Sequence, residues 1–152
     1  MIRTRTDGFS LIELMIVVGV IAVLGGMAVP QIAGAMRQYS LTSASQQVVS
    51  TVRAARAQAV GRNARMRVRF NFPAARQYQV WRLDPALGWL AAGGVNTLPN
   101  GANFGAVSDI IEVDTSGRVA GVAGPAPVTI VVTNGTQNRT ITASASGRVQ
   151  LS

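Results

Sequence analysis

The first third of the chain is dominated by one long apolar run. From Phe9 to Val29, 21 residues contain a single charged side chain, that of Glu13. As a helix rising ~1.5 Å per residue, this run is about 31 Å long, which matches the hydrocarbon core of a bilayer. The pattern therefore predicts a transmembrane helix over residues 9–29. A cleaved signal peptide is the alternative, because small residues follow the run.

The apolar pattern weakens at Gly25, Gly26 and Pro30, where we expect a kink or a melted turn, since glycine and proline both disfavour a helix interior. Over residues 30–61 apolar residues recur at helical spacing, and the opposite side is polar. This predicts an amphipathic continuation of the helix that ends near Gly61 and packs into a core. The apolar positions are Ile32, Met36, Tyr39, Val48, Val52, Ala55 and Ala59.

After Gly61 the period changes from that of a helix to that of a strand. In ARMRVRF, apolar residues alternate with Arg65, Arg67 and Arg69, which places the three guanidinium groups on one face. Later segments predict short antiparallel strands joined by turns that contain Gly or Asn. The Gly-rich connection at 84–108 is either a surface loop or a weak hairpin. We therefore predict an α+β fold, with the long helix packed on a small antiparallel β domain over residues 62–152.

Glu13 is the exception within the apolar run. An acid in mid-membrane costs ~2.5 to 3.5 kcal/mol on insertion scales, so an intramembrane carboxylate is a functional candidate that needs a partner. No basic residue lies within the run. The partner must therefore be a new N-terminus, another subunit or water, unless Glu13 simply lies at the membrane interface.

Composition limits the remaining chemistry. All fourteen basic residues are arginine, the formal net charge is +8, and the chain has no His and no Cys. Arginine suits contact with phosphate, carboxylate or anionic lipid, although most of these side chains could simply be solvated. Without a base to activate a serine, or a thiol, we expect no enzyme activity and no cofactor. Asp109, Glu112 and Asp114 could hold a hard cation, but solvated strand residues are the preferred interpretation and no metal is expected.

The segment G-FSLIELMIVVGVIAVLGGMAVP resembles the N-terminus of type IV pilins and type II secretion pseudopilins. The similarity covers Gly8 to Leu14 continuously and includes Pro30. It implies a leader of residues 1–8 that a prepilin peptidase removes between Gly8 and Phe9, with methylation of the new Phe9 amine. It also implies that Glu13 pairs with the Phe9 amine of a neighbouring subunit during assembly, which would offset the desolvation of both charges.

The second half is similar to pseudopilin H and the FimT-type minor pilins. The similarity rests on LTSASQQVVSTVRAARAQAVGRNARMRVRF, VDTSGRV and ITASASGRV. It implies the pilin-like arrangement of a long helix on a small antiparallel sheet. In some FimT-type proteins a C-terminal Gly-Arg-x-Arg element contributes to DNA binding. Here Gly147 and Arg148 match, but Gln150 replaces the second Arg, so only Arg148 carries that implication.

Two hypotheses about function follow. In the first, the chain is a minor subunit that joins, initiates or caps a type II secretion pseudopilus or a type IV pilus, with other pilin subunits, the prepilin peptidase and the assembly platform as partners. In the second, Arg65, Arg67, Arg69 and Arg148 bind DNA weakly and without sequence preference during transformation. Either way, Arg3 and Arg5 predict a single-pass inner-membrane protein with a cytoplasmic N-terminus and a periplasmic domain.

Overall fold

The computed structural model describes residues 9–105, 110–121 and 124–152. The chain divides into two compact units between Met36 and Arg37. One helix, α1 (Leu11–Gly61), contributes to both units, and all strands belong to the second. The predicted helix end at Gly61 is confirmed.

In the described ranges of the chain, eleven strands form two sheets, and their antiparallel pairing is as predicted. The seven-stranded sheet has the order β3-β2-β1-β6-β7-β8, with β4 also paired to β2, and the four-stranded sheet has the order β11-β10-β9-β5. The strands are β1 (Met66–Phe70), β2 (Gln77–Asp84), β3 (Gly88–Ala91), β4 (Asn96–Thr97), β5 (Asn103–Phe104), β6 (Ile110–Val113), β7 (Val119–Gly121), β8 (Gly124–Pro125), β9 (Val128–Thr133), β10 (Asn138–Ala143) and β11 (Val149–Leu151).

The connection at 84–108 contains a hairpin rather than a surface loop alone. Strand β3 returns along β2, with Asp84 opposite Gly88, and β5 joins the other sheet. Arg76 then fixes the segment between β4 and β5, because its guanidinium donates hydrogen bonds to the carbonyl oxygens of Leu98, Pro99 and Ala102 at 2.9–3.1 Å. Residues 106–108 lie outside the described part of the chain.

The C-terminal half of α1 forms one wall of the core. Its apolar stripe is fully buried at Val48, Val52, Ala55 and Ala59, as the helical spacing predicts. Alanine side chains allow a helix to approach a neighbouring sheet closely because little volume intervenes. The facing strands contribute Met66, Val68, Phe70, Ile111, Val113, Ile130, Val132 and Ile141.

The N-terminal part of the same stripe does not enter the core, and the expectation of core packing is wrong there. Ile32, Met36 and Tyr39 are 58%, 66% and 77% exposed. Within the second unit, the first helix residue in the core is Leu41. A helical period reports which residues share a face, and it does not report what covers that face.

The helix continues without interruption through Gly25, Gly26 and Pro30, so no melted turn occurs at these residues. A helix of this length retains most of its hydrogen bonds when one proline removes a single donor. The predicted kink at these three positions stays a prediction.

Two hairpins of the β domain have equivalent turns, thirty residues apart. The first SGR turn (residues 114–119, DTSGRV) joins β6 to β7, and the second SGR turn (residues 144–149, SASGRV) joins β10 to β11. Their glycines, Gly117 and Gly147, have φ angles of 80° and 81°. The turns contact each other directly, since the Val119 N–H donates to the Ala145 carbonyl oxygen at 3.1 Å.

Arg56 of α1 links both SGR turns to the helix. Its Nε donates to the Gly117 carbonyl oxygen at 2.9 Å and its Nη2 donates to the Ser146 carbonyl oxygen at 3.2 Å. Planar guanidinium groups present several donors in a fixed geometry, which lets one side chain serve two acceptors. The SGR motifs therefore have a structural role at the junction of the helix and the two sheets.

Candidate functional site

The N-terminal half of α1 is an exposed apolar surface. An 18-residue window of this helix has a mean hydropathy of 2.5, and none of the window is buried within the chain. Among the described residues this is the one helix long and apolar enough to cross a membrane. Side chains from Leu11 to Leu24 therefore require lipid or other protein subunits to cover them.

Phe9 and Glu13 lie at the start of this helix. Phe9 is 86% exposed, and Glu13 is in the first helical turn. The Ser10 carbonyl oxygen accepts hydrogen bonds from the Glu13 and Leu14 N–H groups at 3.1 and 3.2 Å. Gly8, the other residue of the predicted cleavage site, lies outside the described residues.

Glu13 has a position that is typical of the start of a helix. Ser10 precedes the helix and Glu13 follows three residues later, which is the spacing of a capping box. A carboxylate in the first turn is also favoured by the positive end of the helix dipole. The S-x-x-E pattern of residues 10–13 was a sequence signal for this helix start.

The arginine row after the helix has the predicted alternation, but two of its members are already paired. Met66, Val68 and Phe70 are buried, while Arg67 and Arg69 lie on the other face of β1. In the β1–β6 pair Arg67 is opposite Glu112. The Glu112 carboxylate accepts from Arg67 Nε at 3.0 Å, contacts Arg67 Nη2, and accepts from Arg65 Nη2 at 3.0 Å. One carboxylate is thus paired with two of the three arginines that were predicted to contact phosphate.

Aromatic rings support the outer guanidinium groups. Arg67 lies over the Trp89 ring at 4.0 Å from its centroid, and Arg69 lies over the Phe72 ring at 3.7 Å. Phe72 in turn meets Trp81 edge-on, with ring centroids 5.9 Å apart. We call Arg67, Arg69, Phe72, Trp81 and Trp89 the arginine–aromatic face. No sequence motif indicates this face, because its rings come from three separate segments.

The acidic residues of the β domain serve their own turns or their neighbouring arginines. The Ser116 hydroxyl, together with backbone N–H groups of that turn, holds the pKa of Asp114 below its ordinary value. Hydrogen bonds from the Ala86 and Leu87 N–H groups likewise lower the pKa of Asp84. Glu112 is an ion-pair residue rather than a merely solvated one, and its side chain is 19% exposed. Asp109 lies outside the described residues, among which no cluster of three potential metal ligands occurs.

Arg148 is held differently from the arginines of β1. It is an exposed residue of the second SGR turn. With the Gln150 amide turned so that its oxygen faces the guanidinium, Gln150 accepts from Arg148 Nε and Nη2 at 3.2 and 3.1 Å. The residue that replaces the second Arg of the Gly-Arg-x-Arg pattern therefore orients the first one.

Comparison with known proteins supports the interpretation of the N-terminus. Residues 3–29 match the prokaryotic N-terminal methylation motif. The match includes Gly8, Phe9 and Glu13 and the apolar run that follows them. The motif and the single apolar helix fit a single-pass inner-membrane protein.

Solved structures with a similar fold are named as a minor pseudopilin and a minor pilin. The minor pseudopilin EpsH of the Vibrio cholerae type 2 secretion system has 19% identity and a TM-score of 0.56, covering 73% of this chain and 94% of that one. A second structure of EpsH has 18% identity and a TM-score of 0.58, covering 76% and 94%. The type IV minor pilin FimU of Pseudomonas aeruginosa has 19% identity and a TM-score of 0.57, covering 76% and 90%.

A comparison with curated proteins found no match. The predicted resemblance is nevertheless confirmed, because an independent motif and an independent fold indicate the same class of protein. The chain has a prepilin-type N-terminus and the α+β fold of minor pilins and pseudopilins. The structures it resembles are named as a minor pseudopilin and a type IV minor pilin.

Proposed function

We propose that this chain is a minor pilin or pseudopilin subunit that enters an inner-membrane filament through α1 and helps to initiate or cap its assembly. The observation that carries the proposal is the methylation motif on a helix whose apolar side chains are uncovered. Such a helix is costly in water, and both a bilayer and a bundle of similar helices would cover it.

The proposal includes a topology. Arg3 and Arg5 before the apolar run favour a cytoplasmic N-terminus, so the β domain would lie in the periplasm. Residues 1–8 are then the leader, residues 9–29 the membrane segment, and residues 30–61 the part of α1 that leads to the β domain at 62–152.

Processing is the first step that this function requires. A prepilin peptidase would cut between Gly8 and Phe9 and methylate the Phe9 amine. The new amine is a cation at neutral pH, since an α-amino group has a pKa near ~8. Glu13 of one subunit and the Phe9 amine of the next would then neutralise each other within the membrane.

The test of this function is the mature N-terminus. We expect mass spectrometry of the protein from its native membrane to find a chain that begins with methylated Phe9. Gly8→Val should block the cut, because a branched side chain would lie at the scissile bond, whereas Thr6→Val, two residues away, should not. An intact Met1, or a cut after the apolar run, would contradict the proposal.

DNA binding is the second candidate function, and the arginine row on β1 is the observation that favours it. Its support is weaker than the sequence alone suggested, because Glu112 already binds Arg65 and Arg67. Arg148 adds one exposed guanidinium on the other sheet. Binding through so few contacts would be non-specific and sensitive to salt.

A further inference from the structure

The outer face of the seven-stranded sheet has the composition of a protein interface. Residues opposite each other in an antiparallel pair share a face, so the register places Trp81 beside Arg67, and Trp89 beside Leu83, on the side away from the core. Both tryptophans of the chain therefore lie on this face. Tryptophan and arginine are the residue types most enriched where binding energy concentrates in interfaces.

The arginine–aromatic face is organised before any partner binds. Glu112 fixes the direction of Arg67, Trp89 supports it from below, and Phe72 supports Arg69 in the same way. Side chains that are already ordered lose less conformational entropy on binding. Among the residues that the structure describes, Arg69 is in none of the ion pairs.

The charge of the β domain indicates what kind of partner fits. Residues 37–152 contain twelve arginines and four acidic residues, a net charge of +8. Of these acids, Asp84, Glu112 and Asp114 are engaged within the chain. A second copy of this domain would therefore bring like charge and few free carboxylates, which opposes self-association.

We propose that the arginine–aromatic face binds an acidic surface of a different protein subunit, so that this chain is placed beside a heterotypic neighbour rather than beside copies of itself. The proposal rests on the proposed function, because it names the partner that a filament subunit of this charge would need. Arg69 supplies the charge, and the rings of Phe72, Trp81 and Trp89 supply apolar area around it.

Cross-linking in native membranes tests the proposal with the full chain. Because the chain has no cysteine, a single introduced cysteine provides one attachment point for a photoreactive maleimide. The two positions are Ala91→Cys on the outer face beside Trp81 and Thr129→Cys at an exposed position of β9. We expect Ala91→Cys, and not Thr129→Cys, to give an adduct with a different subunit whose isoelectric point is acidic. The yield of the adduct should fall as the salt concentration is raised, because salt screens the attraction between the two surfaces.

Variants identify the contribution of each group. We expect Arg69→Gln to lower the adduct yield about tenfold, which corresponds to ~1.4 kcal/mol of binding. Phe72→Leu, which keeps the charge but removes the ring under it, should give a smaller loss. Arg139→Gln on β10 removes the same charge from the other sheet and should have no effect; thermal unfolding of each variant checks that the fold is intact.

Several outcomes would overturn the inference. These are an adduct between two copies of this chain, an adduct with nucleic acid or lipid, equal yields from Ala91→Cys and Thr129→Cys, or equal effects of Arg69→Gln and Arg139→Gln. Filament incorporation is measured on the same membranes. A chain that is processed and incorporated without the Ala91→Cys adduct refutes this inference alone, whereas an unprocessed chain outside filaments refutes the proposed function.

Discussion

Gly147 shows how much one residue without a side chain can matter. It has a φ of 81° in the second SGR turn, and a Cβ built there would overlap Arg56 Nε and the Gly117 carbonyl oxygen. The close approach of the helix and both turns depends on that missing atom. Loss of the Arg56 hydrogen bonds would remove two contacts that hold α1 against the hairpins of both sheets.

We expect Gly147→Ala to lower the free energy of unfolding by about 2 to 4 kcal/mol, from left-handed backbone strain of ~1 to 2 kcal/mol plus weakened hydrogen bonds. Gly135→Ala is the matched control, because Gly135 has a φ of 88° and open space around its Cα. It should cost only the strain. Urea denaturation of both variants measures the difference, and equal losses would mean that the clash with Arg56 has no energetic consequence.

Glu13 lies in the first turn of α1, and we propose that its carboxylate pairs with the Phe9 amine of a neighbouring subunit. Glutamine keeps the size of the side chain but removes the charge. We therefore expect Glu13→Gln to insert into the membrane as efficiently as the unchanged chain does. Its incorporation into filaments should be at least about tenfold lower, which corresponds to a loss of ~1.4 kcal/mol or more. The measurement is the ratio of protein in sheared filaments to protein in membranes.

Glu13→Asp is the matched control, because it keeps a carboxylate in the same helical turn. We expect it to enter filaments more efficiently than Glu13→Gln. If Glu13→Gln enters filaments as efficiently as the unchanged chain, the pairing of Glu13 with a neighbouring amine is excluded.

At the scale of elements, the packing of α1 on the sheets depends on small side chains at Ala44, Ala55 and Ala59, all fully buried. These positions alternate with Leu41, Val48 and Val52, so the helix surface has both ridges and shallow sites. The strands that face it carry mostly β-branched and aromatic side chains, which fill the space that the alanines leave.

Ala55→Leu tests that packing. We expect a loss of about 1 to 3 kcal/mol, because the larger side chain must displace neighbours in a filled core. Ala54→Leu makes the same change on the exposed side of the same helical turn and should stay within about 0.5 kcal/mol. Denaturant unfolding measures both; similar values would show that the helix is not closely packed at Ala55.

At the scale of the whole molecule, the dominant property is a net charge of +8 with few free acids. Such a charge promotes solubility and weak attraction to any polyanion, and it does so without a dedicated site. Weak binding to DNA therefore does not by itself indicate a DNA-binding function. The strength of DNA binding and its dependence on salt distinguish that function from assembly.

Titration with duplex and single-stranded DNA at several salt concentrations makes that distinction. Three working arginines would give a slope of log K against log salt of about −2 to −3. Since Arg65 and Arg67 are paired with Glu112, we expect a shallower slope and no measurable binding at physiological salt. Sub-micromolar binding there, lost when Arg65, Arg67 and Arg69 are all changed to Gln or in Arg148→Gln, would favour the DNA function instead.

Much of this architecture could be predicted because its signals are local. The period of apolar residues specifies a helix before Gly61 and a strand after it, and the alternation in residues 65–70 specifies which side chains share a face. The leader motif is a contiguous sequence, so its match over residues 3–29 depends on no tertiary contact. Each of these features depends only on neighbours along the chain.

The tertiary structure decided which distant residues meet. Nothing local to β1 predicts that Glu112 will neutralise Arg65 and Arg67, or that Trp89 and Phe72 will lie under Arg67 and Arg69. Nor does the helical stripe predict that burial begins at Leu41, or that the two SGR turns meet at Arg56. Pairings between distant segments depend on the packing free energy of the whole domain, in which every strand and helix competes for the same neighbours, and no short stretch of sequence contains that sum.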